Sequence, residues 1–154
     1  MIKIITLHNV KKKHYNWLFS FLNRLDKIYG FADPSKLNLL SQSNKILLTF
    51  DDGFKSNKIV ADEVLNKLNI KAIFFITHDF IDLTPTDAYE FAQNNFYPSR
   101  KISESEGDMS SMSWVDINSL IQNKHKIGGH TFSHPNLKSL NSFKDKNHEI
   151  VISA

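Results

Sequence analysis

Lys45-Ile46-Leu47-Leu48-Thr49-Phe50 is an almost continuous apolar run that stops at Asp51-Asp52-Gly53. A run without polar alternation suits a strand covered on both faces, as in a parallel sheet, and the Asp-Asp-Gly that bounds it reads as a turn. Downstream, Val60, Val64, Leu65 and Leu68 recur at helical spacing up to Asn69, and Ala72-Ile73-Phe74-Phe75-Ile76 repeats the buried-strand pattern. Strand, helix and strand within about 30 residues make a βαβ unit, so the class is α/β with parallel strands and flanking helices.

Working outward, Ile2 to Leu7 is a short apolar run of β character. From Tyr15 the positions Trp17, Leu18, Phe21, Leu22, Leu25 and Ile28 predict a helix that Gly30 ends. Asp33-Pro34-Ser35 reads as a turn, and Ser41-Gln42-Ser43-Asn44 as a polar link. On the other side, His78 to Ser111 is interrupted by Pro85, Pro98 and Gly107, with one helical hint at Ala88 to Phe91, and is expected to be a long surface loop. Ser113 with Asp116 predicts a capping box opening a helix through Ile121, and Lys126-Ile127-Gly128-Gly129 a further short strand. A last helix should begin near Ser142 and carry Ile150, Val151 and Ile152. Trp17 and Trp114, at helical positions beside other apolar residues, are expected in the core.

The 154 residues fit one domain, and 41% hydrophobic content with twelve Phe suffices for a packed core. There is no Cys, which excludes disulfides, thiolate metal sites and cysteine nucleophiles, so any metal must use His, Asp or Glu. The opening residues are too short an apolar stretch for a signal peptide, and no window approaches the roughly 18 apolar residues of a membrane span. A cytoplasmic location is the expectation. The net charge of +3 is scattered, and Lys11-Lys12-Lys13 lacks the interleaved aromatics that stack bases, so no nucleic-acid partner is expected.

Two clusters follow predicted strands: Thr49-Phe50-Asp51-Asp52-Gly53 and Gly128-Gly129-His130-Thr131-Phe132-Ser133-His134-Pro135. Parallel strands place their carboxyl ends on one edge, where sites of such folds form, so the clusters are expected to meet. Adjacent carboxylates repel and diverge, which suits two roles: one for a metal, the other for a proton. His130 and His134, at i and i+4, would point to one side of a helical turn, with Gly129 giving a sharp bend beforehand. Together a carboxylate and two imidazoles form a set that holds Zn2+ or a related divalent ion such as Co2+, with positions left open.

These two segments resemble the first two motifs of the polysaccharide deacetylases, the NodB-homology or carbohydrate esterase family 4 enzymes. Ile70 to Ile76 and Met112-Ser113-Trp114 fit the same pattern, and the similarity runs from about Lys45 to Leu140. The resemblance implies a distorted (β/α) barrel that removes N-acetyl or O-acetyl groups from an acetylated carbohydrate. It matches Asp51 to the general base, and Asp52, His130 and His134 to the metal ligands.

The family's later motifs, which carry an orienting Arg, a groove segment and a general-acid His, are not found after the His pair. The expectation is therefore one domain over residues 1–154, an incomplete barrel truncated after its second motif, whose open strand edge invites self-association or a partner chain. An alternative to the deacetylase is a catalytically impaired metal-binding fragment or subunit completed by such a partner. A receiver-type phosphotransfer domain would explain Asp51 and Asp52 but needs further strand-end residues and gives no reason for the His pair. His8, ending a strand, keeps a minor claim on the site; His14, His78 and His125 read as loop or helix-edge residues, and His148 as solvated.

Overall fold

The computed structural model describes residues 2–36, 44–103 and 107–152. Four parallel strands, β1 (Lys3–Leu7), β2 (Ile46–Phe50), β3 (Ala72–Ile76) and β4 (Lys126–Gly129), hydrogen-bond in the order β1-β2-β3-β4. The α/β class and the strands fall where the sequence places them. The sheet is open, with β1 and β4 at its edges, so the barrel is not closed among the described residues.

The apolar run of β2 has the predicted two-sided burial: Ile46, Leu48, Thr49 and Phe50 are all buried. Phe50 stacks on Phe74 of β3 with ring centroids 4.8 Å apart. Helix α1 (Tyr15–Tyr29) contributes Leu18 and Leu22 to the same core, then ends at Gly30, whose φ of 69° is cheap only for glycine. Between β2 and β3 the chain coils as α2 (Lys55–Val60), a π-helical turn (Ala61–Leu65) and α3 (Asn66–Leu68), ended by left-handed Asn69. The turn at Pro34 and Ser35 is fixed by Asp33, whose Oδ1 accepts the Ser35 amide and hydroxyl hydrogens. Residues 41–43 of the expected polar link lie outside the described residues.

Helix α5 (Trp114–Gln122) opens on the predicted capping box: Ser113 Oγ accepts the Asp116 amide, and Asp116 accepts the Ser113 amide. His125, expected at a helix edge, is instead buried between α5 and β4, where its Nδ1 accepts the Ala72 amide at 3.2 Å. Burial, reinforced by the Lys71 charge, pushes its pKa down to about 4. Its neutral ring therefore fastens the entrance of β4 to β3.

Two further expectations fail here. The segment 78–111 is not a plain loop: it contains a 3-10 turn (His78–Phe80), α4 (Pro85–Phe91) and a π-helical turn (Ala92–Phe96). These elements enclose a second apolar cluster of Phe54, Phe80, Ala88, Ala92, Ile102 and Met109. Its apolar residues answer to Phe54, far back in the chain, so no local periodicity reveals them. Trp17 and Trp114 are not core residues, being 62% and 45% exposed; Trp17 lies flat on Phe21, and Trp114 sits near His78. No helix among the described residues is long and apolar enough to cross a membrane.

Candidate metal centre

The carboxyl ends of the strands line one edge. Pairing of Leu7 with Phe50 and of Ile76 with Gly129 brings the segments beginning at His8, Asp51, Thr77 and His130 side by side. Immediately after β2 the backbone turns through Asp52 (φ 77°) and Gly53 (φ 99°). A Cβ on Gly53 would lie 2.9 Å from the Ile81 side chain, so this turn needs glycine for space as well as for φ.

That turn drives Asp52 inward, to 4% exposure, while Asp51 stays half-buried. The two neighbours diverge as the sequence predicts. Thr77, fully buried, ties the halves of the site together: its amide donates to the Asp52 carbonyl at 3.2 Å, and its hydroxyl to the His130 carbonyl at 3.2 Å.

His130 and His134 do converge on Asp52, but not as neighbours on a helix. They sit on an irregular loop in which Thr131 (φ 66°) and His134 (φ 61°) adopt left-handed conformations, costly for a β-branched residue such as Thr131. Gly129 is not the bend; it is the last residue of β4 and lies outside the positive-φ set. The glycine used for close approach is Gly128, where a Cβ would stand 2.7 Å from the Phe75 ring. Thr131 Oγ1 accepts the His134 amide at 3.0 Å, closing the loop on itself.

Asp52 Oδ1 is 3.6 Å from His130 Nε2 and 3.9 Å from His134 Nε2, and one donor atom from each of the three residues lies within 4.8 Å of the others. Donors about 3.4 Å apart surround a tetrahedral ion with ~2.1 Å bonds, so a modest contraction would close the set. His134 Nδ1 lies 3.1 Å from the Asn95 carbonyl, a group that only accepts, so Nδ1 carries the hydrogen and Nε2 presents its lone pair toward Asp52. The Phe96 ring packs edge-on against that imidazole at 4.9 Å. Burial raises the Asp52 pKa, Asp51 adds to the rise, and His8, His134 and His130 oppose it. A buried carboxylate held against its desolvation cost, facing two imidazoles, is a donor set whose charge a divalent cation would balance. The residues fit such an ion.

Asp51, assigned to the proton role, stands beside this trio. Its amide donates to Leu7 at 2.9 Å, and its carbonyl accepts from Asn57 Nδ2 at 3.2 Å. The structure brings His8 closer than its minor claim suggested: His8 Nε2 is 3.8 Å from Asp51 Oδ2. His14 and His148 are exposed, and His78, which is not one of the three donors, stacks on Phe132 of the His loop at 4.3 Å.

The sequence reading missed three contributors. Asn95 and Phe96 belong to the segment expected to be a loop. Glu149, on the terminal helix, is buried and bonds to Phe132 and Ser133 between the two histidines. The Ser133–Glu149 separation matches no local motif, so only the fold exposes it.

The profile of the family described as polysaccharide deacetylase matches residues 41–151. No curated protein matches the chain in sequence. Solved structures similar to it include a putative polysaccharide deacetylase from Bacillus anthracis, at 17% identity and TM-score 0.66, covering 99% of this chain and 45% of that one. A Streptococcus pyogenes deacetylase, solved with acetate, is similar at 18% identity and TM-score 0.60, covering 99% of this chain and 64% of that one. A de-N-acetylase from Aggregatibacter actinomycetemcomitans follows the same fold at 16% identity and TM-score 0.54, covering 84% and 54% respectively. The chain thus spans about half the length of the first of these structures and less than two thirds of the second.

Proposed function

The chain belongs to the polysaccharide deacetylase family, and on that premise we propose that it is, or forms part of, a metal-dependent hydrolase that removes acetyl groups, N-acetyl before O-acetyl, from a carbohydrate. The observation that carries this reading is the convergence of Asp52, His130 and His134, with Asp51 next in the chain and its charge acting on Asp52. The similar de-N-acetylase and the acetate-bound relative support the acetyl group as the target.

A divalent cation, Zn2+ by the donor chemistry, would be held by Asp52, His130 and His134 and would supply Lewis acidity toward the acetyl carbonyl and acidify water. The chain's own residues do the rest. Asp51 accepts the proton of the attacking water at its half-buried carboxylate, the general-base role. His8 Nε2 stands 3.8 Å from Asp51 Oδ2, next to that carboxylate. Thr77, through its two hydrogen bonds, keeps the base-bearing and imidazole-bearing loops in register. A general acid for the departing amine typically contributes about 10²–10⁴-fold in rate, and none is assigned among the described residues. The chain alone is expected to bind metal and turn over slowly.

The test is Zn2+ titration by calorimetry together with acetate release from an N-acetylglucosamine oligomer. Asp51→Asn should keep metal uptake and lose acetate release. Turnover retained by that variant refutes the base assignment, and absence of Zn2+ uptake refutes the metal reading. One observation favours a companion reading in which further β/α elements, from a partner chain or a second copy, complete the fold: β4 is an open edge, and Ile150, Val151 and Ile152 beside it are 51–63% exposed. Sedimentation of the chain would show self-association directly.

A further inference from the structure

We propose that Glu149 is a positioning residue of the metal centre: its buried carboxylate holds the loop between His130 and His134 in the shape that lets both imidazoles share an ion, and so couples the terminal helix to metal binding. This rests on the metal reading given above.

The terminal element, α6 (Phe143–Asn147) with its π-helical continuation (His148–Ile152), is attached in an unusual way. Amphipathic helices normally dock through apolar side chains. Here Phe143 is 84% exposed, Ile150, Val151 and Ile152 are all exposed, and the buried residue of the element is Glu149. Burying a carboxylate is unfavourable unless its oxygens are satisfied, and these are. Oε2 accepts the Phe132 amide at 3.0 Å and the Ser133 amide at 2.8 Å, while Oε1 accepts the Ser133 hydroxyl at 2.7 Å. The Glu149 carbonyl also receives the Phe132 amide at 3.0 Å, and the His148 ring packs against Phe132 at 4.3 Å.

Phe132 and Ser133 are the two residues between left-handed Thr131 and left-handed His134. Successive amides directed at one anion form a concave nest, and the anion here is supplied by the chain itself. Without the carboxylate the Ser133 amide and hydroxyl lose the acceptors described here and the Phe132 amide keeps only the Glu149 carbonyl, so the centre of the loop, between the ends tied by Thr77 and Asn95, loses its anion. The spacing of the imidazoles, each pivoting on one end of this segment, depends on that shape. Groups that orient metal ligands without touching the ion typically matter 10–100-fold to affinity.

The chain, Glu149→Ala and Glu149→Gln should be compared by Zn2+ calorimetry, by the visible absorption of Co2+ bound in place of Zn2+, and by amide hydrogen exchange across residues 143–152 with and without Zn2+. Glu149→Ala is expected to weaken Zn2+ binding by about 10–100-fold and alter the Co2+ bands. Glu149→Gln, whose carbonyl can still accept both amides, should regain most of the loss. Zn2+ should slow exchange in residues 143–152 of the unaltered chain, since coupling between two sites is reciprocal. If Glu149→Ala binds Zn2+ as tightly with the same Co2+ spectrum, even with a lower melting temperature, the proposal falls. If Glu149→Ala does not fold, the exchange experiment decides, and unchanged exchange on Zn2+ loading overturns it. An unaltered chain that takes up no Zn2+ overturns the underlying metal reading instead.

Discussion

The two halves of the candidate metal centre are built differently. The Asp51-Asp52-Gly53 turn grows out of β2, which has neighbours on both sides, and rests on Phe50 and Phe74 in the main core. The His130–His134 loop leaves β4 at the sheet edge and has no secondary structure. It is held by Asn95 from one side, Glu149 from another and Thr77 from beneath. A ligand on a central strand inherits its position from the core, whereas ligands on an edge loop borrow theirs from remote polar contacts. The first half should respond to mutation as the whole domain does, the second as a local element.

The strongest test of that contrast is Phe74→Ala, which removes a fully buried ring under the Asp-Asp-Gly turn and should cost about 3–5 kcal/mol of global stability in urea denaturation. Truncation of the half-buried Phe132 in the His loop should cost far less in the same assay. Equal costs would erase the distinction.

Next in size is the pH response of His125, which fastens β4 to β3. Its folded pKa, pushed down to about 4, lies below the 6.5 of the free residue, so between these values the unfolded chain binds a proton that the folded one refuses. The stabilisation is complete above pH 6.5 and is lost as pH falls toward about 4, a change of about 3 kcal/mol at ~1.36 kcal/mol per pH unit. Protonation also fills the Nδ1 lone pair that accepts the Ala72 amide. Urea melts at pH 7 and pH 5 should show the loss, and His125→Phe should flatten this part of the profile. A variant with the unaltered slope would assign the loss elsewhere.

The smallest of these effects belongs to Thr77→Val, which keeps the shape and removes the hydroxyl donated to His130. Losing that bond at a buried position should cost about 1–2 kcal/mol, and the His loop should exchange its amides faster than the Asp-Asp-Gly turn. Uniform acceleration across both would mean that Thr77 supports the whole sheet rather than the junction.

Legibility in the sequence follows the same division. Ile46–Phe50, Ala72–Ile76 and the Ser113–Asp116 capping box are local patterns, and each appears where its residues predict. The meeting of Asp52 with His130 and His134 was also readable, because parallel strand ends must share an edge. The helical turn assumed for the two histidines was not, since an i, i+4 spacing does not distinguish a helix from a loop bent by Thr131 and His134. Nor could the 78–111 segment be read, whose core completes itself on Phe54, or the inward turn of Glu149. Periodicity also placed Trp17 and Trp114 inside, although both lie at the surface.

Each strand after β1 pairs with the one made just before it, β2 with β1, β3 with β2, β4 with β3. Such a sheet can be laid down row by row while the ribosome is still extending the chain, each new row finding its template already in place. Asp52 is then in place before the imidazoles that face it are made.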